Sequence, residues 1–376
     1  MYLSKLDVRG IRNIKQASLG PSSAINIIYG RNGSGKTSLL EAIYLLGRGR
    51  SFRTPRLNPV INADSPDCMV FAVVHDMAKG HSSRETTIGV QRFGSGEFQF
   101  KIAGQQVYTA SLLAQKLPTL VVNSDSFALV DGAPGDRRRF LDWGVFHVEQ
   151  PPPDLWRKLQ RVLKQRNYLL RRGKIDREEL RVWDREFAAL SEQVARFRET
   201  YFSRFVPECR AAYSALSGDN DFDLEIELFL GWQTKGDLLQ ELEATYQRDL
   251  QNKATGVGAH RADLKLKCHG RPATEVLSRG QVKLLVLAMQ VAQGRILRKT
   301  GNRGCVYLLD DLAAELDRFN LMRCLDLLAA QQDQVFLTGT DRHALLDLMP
   351  KSVPQAPAVF HVEQGVVNAE PVNRTI

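Results

Sequence analysis

Apolar residues along the chain fall into continuous runs, strict alternations and three-to-four spacings, and the pattern changes twice. The run Ala24 to Tyr29 predicts a buried strand. The glycine-rich turn "GRNGSGKT" follows, and then a helix from about Lys36 to Leu46. The segments "MVFAVVHD", "TTIGVQRF" and "EFQFKIAG" alternate or are β-rich and are broken by glycine, which predicts an antiparallel group of strands. "LPTLVVNSDSF" reads as one more buried strand with its turn. After Gly132 the texture changes, and Pro151, Pro152 and Pro153 stop any helix there. From Asp154 to about Leu216 the chain is charged, almost free of Gly and Pro, and helical in spacing, with Leu155, Leu159, Val162, Leu163, Leu169 and Leu170 recurring. A second helix starts near Arg177; continuous to Val206 it would be ~45 Å long. This stretch reads as a helical arm. Alternation returns at Phe222, Leu224, Ile226 and Leu228, and "GVGAHRADLKLKCHG" gives another strand or hairpin. "RGCVYLLDDLAAELD" and "QVFLTGTD" are apolar strands that end in acids or small polar residues, with a helix between them. Strand alternating with helix predicts a largely parallel sheet. "AVFHVEQGVVNAE" reads as a terminal hairpin with Gly365 in its turn.

Composition narrows the class. The 376 residues are 43% hydrophobic and 25% charged, a globular balance with room for a large core and more than one domain. The net charge of +9 favours polyanionic partners. The first residues, "MYLSKLDVRGIRNI", lack an apolar signal segment, and no stretch approaches the ~20 apolar residues that span a bilayer. A cytoplasmic protein without a membrane partner is expected. Cys68, Cys209, Cys268, Cys305 and Cys324 form no CxxC pair, so they read as buried reduced thiols rather than zinc ligands.

Three segments carry chemistry. Gly30, Arg31, Asn32, Gly33, Ser34, Gly35, Lys36, Thr37 and Ser38 make a GxxxxGK[ST] loop with its strand before and its helix after. Backbone N–H groups of such a loop wrap phosphates, Lys36 reaches the β- and γ-phosphates of ATP, and the Thr37 hydroxyl ligates Mg²⁺. In "CVYLLDDL" four apolar residues deliver Asp310 to the C-terminal edge of a buried strand, where open α/β sheets bind ligands. Asp310 is the expected second magnesium ligand. Asp311 either orients and deprotonates the attacking water or only caps a helix. The third segment, Ser278, Arg279, Gly280 and Gln281, opens an apolar helix about 240 residues after the first loop. A helix start of this type attracts anions.

Together these segments resemble the ATP-binding-cassette ATPases. The resemblance implies an α/β head, with a parallel sheet core and an antiparallel β subdomain, and a short helical arm. It places residues 1–135 and 222–376 in the head and residues 136–221 in the arm. It also implies that Ser278, Arg279, Gly280 and Gln281 meet the γ-phosphate of ATP held by a second copy, with Ala313 to Asp317 as the loop that crosses the seam. "LDVRGIRNI" is similar to the start of the chromosome-maintenance branch, in which a residue at the position of Arg12 leans toward the nucleotide. Over nearly its full length the chain resembles the RecF family, the bacterial recombination mediators. The stretches that carry this are "GRGRSFRT", "GAPGDRRRFLDWGVFH", "LKQRNYLLR", "TGVGAHRADL", "LSRGQ" and "YLLDDLAAELD". The resemblance implies an ATP-dependent homodimer on duplex and gapped DNA, working with RecR and RecO to load RecA. It implies a weak, DNA-stimulated ATPase, because Asp311 stands where most cassettes carry a longer Glu. No lid-loop Gln is found in "LVVNSDS", and Thr338 or Thr340 occupies the region of the switch His.

From Leu155 to Lys174 there are eight basic residues and no acid: Arg157, Lys158, Arg161, Lys164, Arg166, Arg171, Arg172 and Lys174. Trp156 and Tyr168 interleave. Arg157, Arg161, Lys164, Arg171 and Arg172 are the DNA-contact candidates, since a basic helix face tracks phosphates without reading sequence. The plainer reading is a solvated helix face. Arg137, Arg138 and Arg139 either add to this surface or pack the arm. Two other classes share the cassette. A transporter's nucleotide-binding subunit is disfavoured by the arm and the basic stripe. A chromosome-organising ATPase with long arms is disfavoured by an arm this short.

Overall fold

The computed structural model describes residues 1–54, 58–76, 84–172, 176–218, 223–233, 237–301, 303–350 and 355–371. Phe222 and Lys174 lie outside them. The described chain divides into two compact units. The first comprises Met1–Phe127, Ala211–Asp219 and Lys283–Ile376, and the second Ala128–Arg210 and Asn220–Val282.

Two sheets build the first unit. One is antiparallel, in the order β2-β1-β4-β5-β6-β7: β1 (Tyr2–Ile11), β2 (Ile14–Leu19), β4 (Asp67–Asp76), β5 (Arg84–Phe93), β6 (Phe98–Ile102) and β7 (Gln105–Val107). The other runs β15-β14-β3-β13-β12-β8: β3 (Ile25–Tyr29), β8 (Thr119–Val122), β12 (Val306–Leu309), β13 (Gln334–Gly339), β14 (Ala358–Glu363) and β15 (Val366–Glu370). It is parallel except for the β14–β15 hairpin. The helix α1 (Lys36–Arg48) buries Leu39, Leu40, Ile43 and Leu46 in a core shared with both sheets, including Leu6, Val8, Val70 and Ile88 of one and Ile28, Leu308 and Phe336 of the other. The short α2 (Ala110–Lys116), α11 (Leu312–Glu315), α12 (Arg318–Ala330) and α13 (Arg342–Leu346) complete it. The parallel registers align the C-terminal ends of four strands. Leu309 pairs with Leu337 on one side and with Val122 on the other, and Gly339 pairs with Tyr29.

The second unit holds α3 (Ala128–Asp131), α4 (Pro134–Val148), α5 (Leu155–Arg171), α7 (Leu238–Ala244), α8 (Tyr246–Asn252) and α9 (Ala273–Val276). It also holds a three-stranded antiparallel sheet, β11-β10-β9, made of β9 (Leu224–Phe229), β10 (Asp263–Cys268) and β11 (Arg271–Pro272). The helix α6 (Arg177–Ser217) starts here and finishes in residues of the first unit; α10 (Arg279–Gly301) does the same. With 41 residues α6 is about 60 Å long; it runs through Pro207 and ends one residue past the expected helical limit near Leu216. Pro207 removes one N–H from the ladder, a loss a long packed helix tolerates. Leu155, Leu159 and Val162 of α5 pack with Phe187, Val194 and Ala195 of α6 and with Leu230, Trp232 and Leu242. The expected head took in everything from residue 222, but the contacts group 220–282 with the helices. A strand pattern says that a segment joins a sheet, not which sheet, and β9 and β10 pair only with each other and β11.

Candidate nucleotide and polyanion sites

Residues 30–38 leave β3 and enter α1 through a loop held from three sides. Gly30 N donates to Gly339 O at 3.3 Å, and a side chain on Gly30 would meet Val362 O at 2.1 Å, so only glycine fits. Asn13 Nδ2 donates to Ser34 O at 2.9 Å, and its Oδ1 accepts from Ser38 Oγ at 3.1 Å. From the terminal hairpin, Gly365 N donates to Ser34 O at 2.8 Å. Gly365 has φ +81, and a Cβ there would lie 2.0 Å from Asn13 O.

Inside the loop Lys36 is buried, and its Nζ donates to Gly30 O at 2.9 Å and Arg31 O at 3.1 Å. Burial pulls its pKa below the usual lysine range, with Asp311 and then Asp310 acting in the opposite sense. The α1 start has no side-chain cap and no acid in its first turn. Ser34 Oγ is buried without a hydrogen-bond partner. A cradle of uncapped N–H groups, a buried ammonium and an orphaned hydroxyl fits a polyphosphate.

The parallel sheet brings the acids to this loop. Asp310 N donates to Val122 O at 2.9 Å, and Asp310 Oδ1 accepts from Thr37 Oγ1 at 3.0 Å and Thr338 Oγ1 at 2.8 Å. Burial raises the Asp310 pKa against those two hydrogen bonds. Thr37 and Asp310, 273 positions apart in sequence, are thus in direct contact. Among the described residues no group of three or more His, Cys, Asp or Glu converges for a metal. Two oxygen donors beside a phosphate cradle fit magnesium, which takes a few protein ligands and completes its shell with phosphate and water. Asp311 begins α11, yet its side chain makes no capping bond, which weakens the reading of a mere helix cap. Asn123 follows β8 in the lid-loop region; its Oδ1 accepts from Ser126 N and Oγ.

Arg12, expected to lean toward the nucleotide, is held by the fully buried Glu41: Nε and Nη2 each donate at 2.8 Å, and Nη1 donates to Pro59 O at 2.6 Å. The hydrogen bond to Glu41 raises its pKa further. Its neighbour Asn13 is the residue that touches the loop, and sequence reasoning missed it. The signal was the polar pair Arg12-Asn13 interrupting two strands. Ser278, Arg279, Gly280 and Gln281 belong to the other unit, where Ser278 and Gln281 bond to each other. Ser278 N donates to Gln281 Oε1 at 2.7 Å and Gln281 N to Ser278 Oγ at 3.4 Å, a capping box at the start of α10. Ser278, Arg279 and Gly280 are exposed.

On α5 the residues Arg157, Arg161, Lys164, Tyr168 and Arg171 recur every three to four positions and are all exposed, as is Arg172. Lys164, Gln165, Asn167, Tyr168 and Arg171 line an open pocket of about 460 Å³, and the Arg172 guanidinium lies 5.9 Å from the Tyr168 ring. Arg166 departs from the stripe. It is fully buried and donates to Asp184 Oδ1 at 2.6 Å, Asp249 Oδ2 at 2.8 Å and Thr255 Oγ1 at 2.8 Å. Trp156 packs against the core, so Tyr168 alone interleaves the exposed line. Arg137 pairs with Asp263 at 2.7 Å and Arg138 Nη1 donates to Ala262 O at 2.7 Å, so both tie α4 to β10; Arg139 is exposed beside Asp136.

Comparisons with known proteins agree with this geometry. The family described as RecF/RecN/SMC N terminal domain matches residues 2–368. The chain is 43% identical over 365 residues to "DNA replication and repair protein RecF" of Pseudomonas syringae pv. syringae (strain B728a), covering 97% of each chain. It is 43% identical over 371 residues to the protein of the same name from Cellvibrio japonicus (strain Ueda107), covering 98% of this chain and 99% of that one. Among solved structures, that of the recombination mediator protein RecF-ATP in the RecFOR pathway superposes with a TM-score of 0.85 at 24% identity, over 98% of both chains. An SMC head bound to the C-winged helix domain of ScpA shares the fold with a TM-score of 0.60 at 16% identity, over 100% of this chain and 98% of that one. The chain therefore belongs to the RecF family, within the group that RecF forms with RecN and the SMC proteins.

Proposed function

We propose that this RecF-family chain is an ATP-dependent, DNA-binding recombination mediator whose two copies close around ATP. The observation that carries this is the contact of Thr37 with Asp310 in front of the buried Lys36. It supports a phosphate cradle with two magnesium donors beside it at the C-terminal ends of the parallel strands. When bound, Mg²⁺-ATP supplies a polarised terminal phosphate. Lys36 and the N–H groups of residues 30–38 hold its phosphates, Thr37 and Asp310 hold the ion, and Asp311 orients and accepts the proton of the attacking water. Arg12 braces α1 through Glu41 rather than touching the nucleotide. Ser278, Arg279, Gly280 and Gln281 of one copy meet the nucleotide of the other. The 3.4 Å bond from Gln281 N to Ser278 Oγ is long, so the hydroxyl is easily redirected to a phosphate oxygen. The γ-phosphate then joins two copies by charge-assisted bonds, and slow hydrolysis releases them.

Duplex DNA lies along Arg157, Arg161, Lys164, Arg171 and Arg172. Tyr168, exposed in that line, stacks on an unpaired base where the duplex meets a gap. Work with RecR and RecO in loading RecA, in the cytoplasm, follows from family membership and from the RecFOR pathway named for the structural relative. No helix among the described residues is long and apolar enough to cross a membrane.

Light scattering with Mg²⁺-ATP and a short duplex tests this. Wild-type protein doubles its mass with ATP, and Ser278→Arg binds ATP but stays single, because a bulky cation blocks the seam. Doubling by the variant, or no doubling by wild type, overturns closure around ATP.

A further inference from the structure

We propose that Thr338 is a positioning residue for Asp311, and through it for the attack of water on ATP. The inference rests on the ATPase reading above.

Thr338 stands on β13, fully buried beside the end of β12. Its hydroxyl donates to Asp310 Oδ1 at 2.8 Å and accepts from Asp311 N at 2.8 Å. A hydroxyl has one proton and two lone pairs. With the proton fixed on Asp310, a lone pair is left facing the Asp311 N–H. Asp311 needs that support. Its backbone lies at φ 53 and ψ 32, a left-handed conformation that costs a non-glycine residue on the order of 1 kcal/mol. The four-residue α11 gives it no side-chain cap. The bond from its own N–H to Thr338, together with Ala314 N donating to Asp311 O at 3.1 Å, holds this conformation, which decides where its Cα–Cβ bond points.

This answers two oddities of the sequence together. A carboxylate one methylene shorter than Glu gains its aim from the turn of the backbone, and a β-branched hydroxyl residue, stiff at χ1, holds that turn. In the reaction the water oxygen bonds to the terminal phosphorus as the bond to the bridging oxygen of ADP breaks. One water proton passes to Asp311. Misplacing a reacting group by 1 Å costs about 10²-fold in rate.

Thr338→Val keeps the shape and removes both hydrogen bonds; Thr338→Ser keeps both. In nucleotide-free protein, hydrogen exchange at the Asp311 amide speeds up in Thr338→Val and not in Thr338→Ser. Thr338→Val binds Mg²⁺-ATP like wild type but hydrolyses it about 10²-fold more slowly, in kcat rather than KM. Thr338→Ser restores most of the rate. The double variant Thr338→Val/Asp311→Asn loses much less than the two single losses combined, because both changes act on Asp311, although Thr338→Val also removes the bond to Asp310. Unaltered exchange and turnover in Thr338→Val, or a full additional loss in the double variant, overturns the role of Thr338. A wild-type protein that neither binds nor hydrolyses ATP sinks the ATPase reading itself.

Discussion

Arg161 and Arg166 stand five positions apart on α5 and have opposite fates. Arg161 is exposed; Arg166 is buried against Asp184 and Asp249. Replacing Arg166 by Ala strands two buried carboxylates and lowers stability by about 3–5 kcal/mol, read by urea unfolding. Arg161→Ala changes it by about 0.5 kcal/mol or less. The three-to-four spacing of Leu155, Leu159, Val162 and Leu170 already puts position 166 on the apolar face and 161 off it; the sequence does not show the acid 83 positions away that pairs the buried arginine. The meeting of Thr37 with Asp310 was legible, because a glycine-rich turn after one buried strand and an acid ending another fall on the same edge of a parallel sheet. Beside Arg166 and its acids, His260 Nε2 meets Thr255 O at 3.0 Å, and burial lowers its pKa from 6.5 to about 4, with Arg261, Arg138 and Arg166 adding to the effect. Below pH 6.5 the unfolded chain takes up a proton there that the folded chain refuses. The stabilisation is complete above pH 6.5 and is lost as pH falls from 6.5 to about 4. It amounts to roughly 3 kcal/mol. The difference in unfolding free energy between wild type and His260→Gln should therefore shrink as pH falls from 7 to 4.

At the scale of the element, α5 shows how one helix serves two faces. Leu155, Leu159, Val162, Leu169 and Leu170 are buried, and the basic line occupies the opposite face. DNA binding should weaken linearly with the logarithm of salt, and each of Arg157, Arg161, Lys164, Arg171 and Arg172 changed to Ala should lower that slope by about 0.9. Tyr168→Ala should leave the slope unchanged while erasing the preference for gapped over continuous duplex, measured by fluorescence anisotropy. Equal binding losses on both DNAs would show that Tyr168 only packs. Element identity was legible where the pattern is strong: β3, β12 and β13, α1, α5 and the β14–β15 hairpin fall where period and turn residues put them, while α4, α7 and α8 went unread. Sheet membership was not, because β9 and β10 alternate as any half-buried strand does.

The molecule as a whole carries two sets of cores, one in the unit of the two large sheets and others in the helical unit. Mg²⁺-ATP at about 100 times its Kd should add about 2.7 kcal/mol to the unit that contains Lys36. Calorimetry should show a transition that moves with ATP in wild type and stays put in Lys36→Ala. The phosphate loop is written early in the chain, yet its supports arrive late: β13 and β14 flank β3, and Gly365 closes on Ser34. A ribosome therefore releases this loop hundreds of residues before it can hold its shape. A nascent or prematurely ended chain that has not reached residue 365 carries the loop's sequence without the contacts that hold its shape.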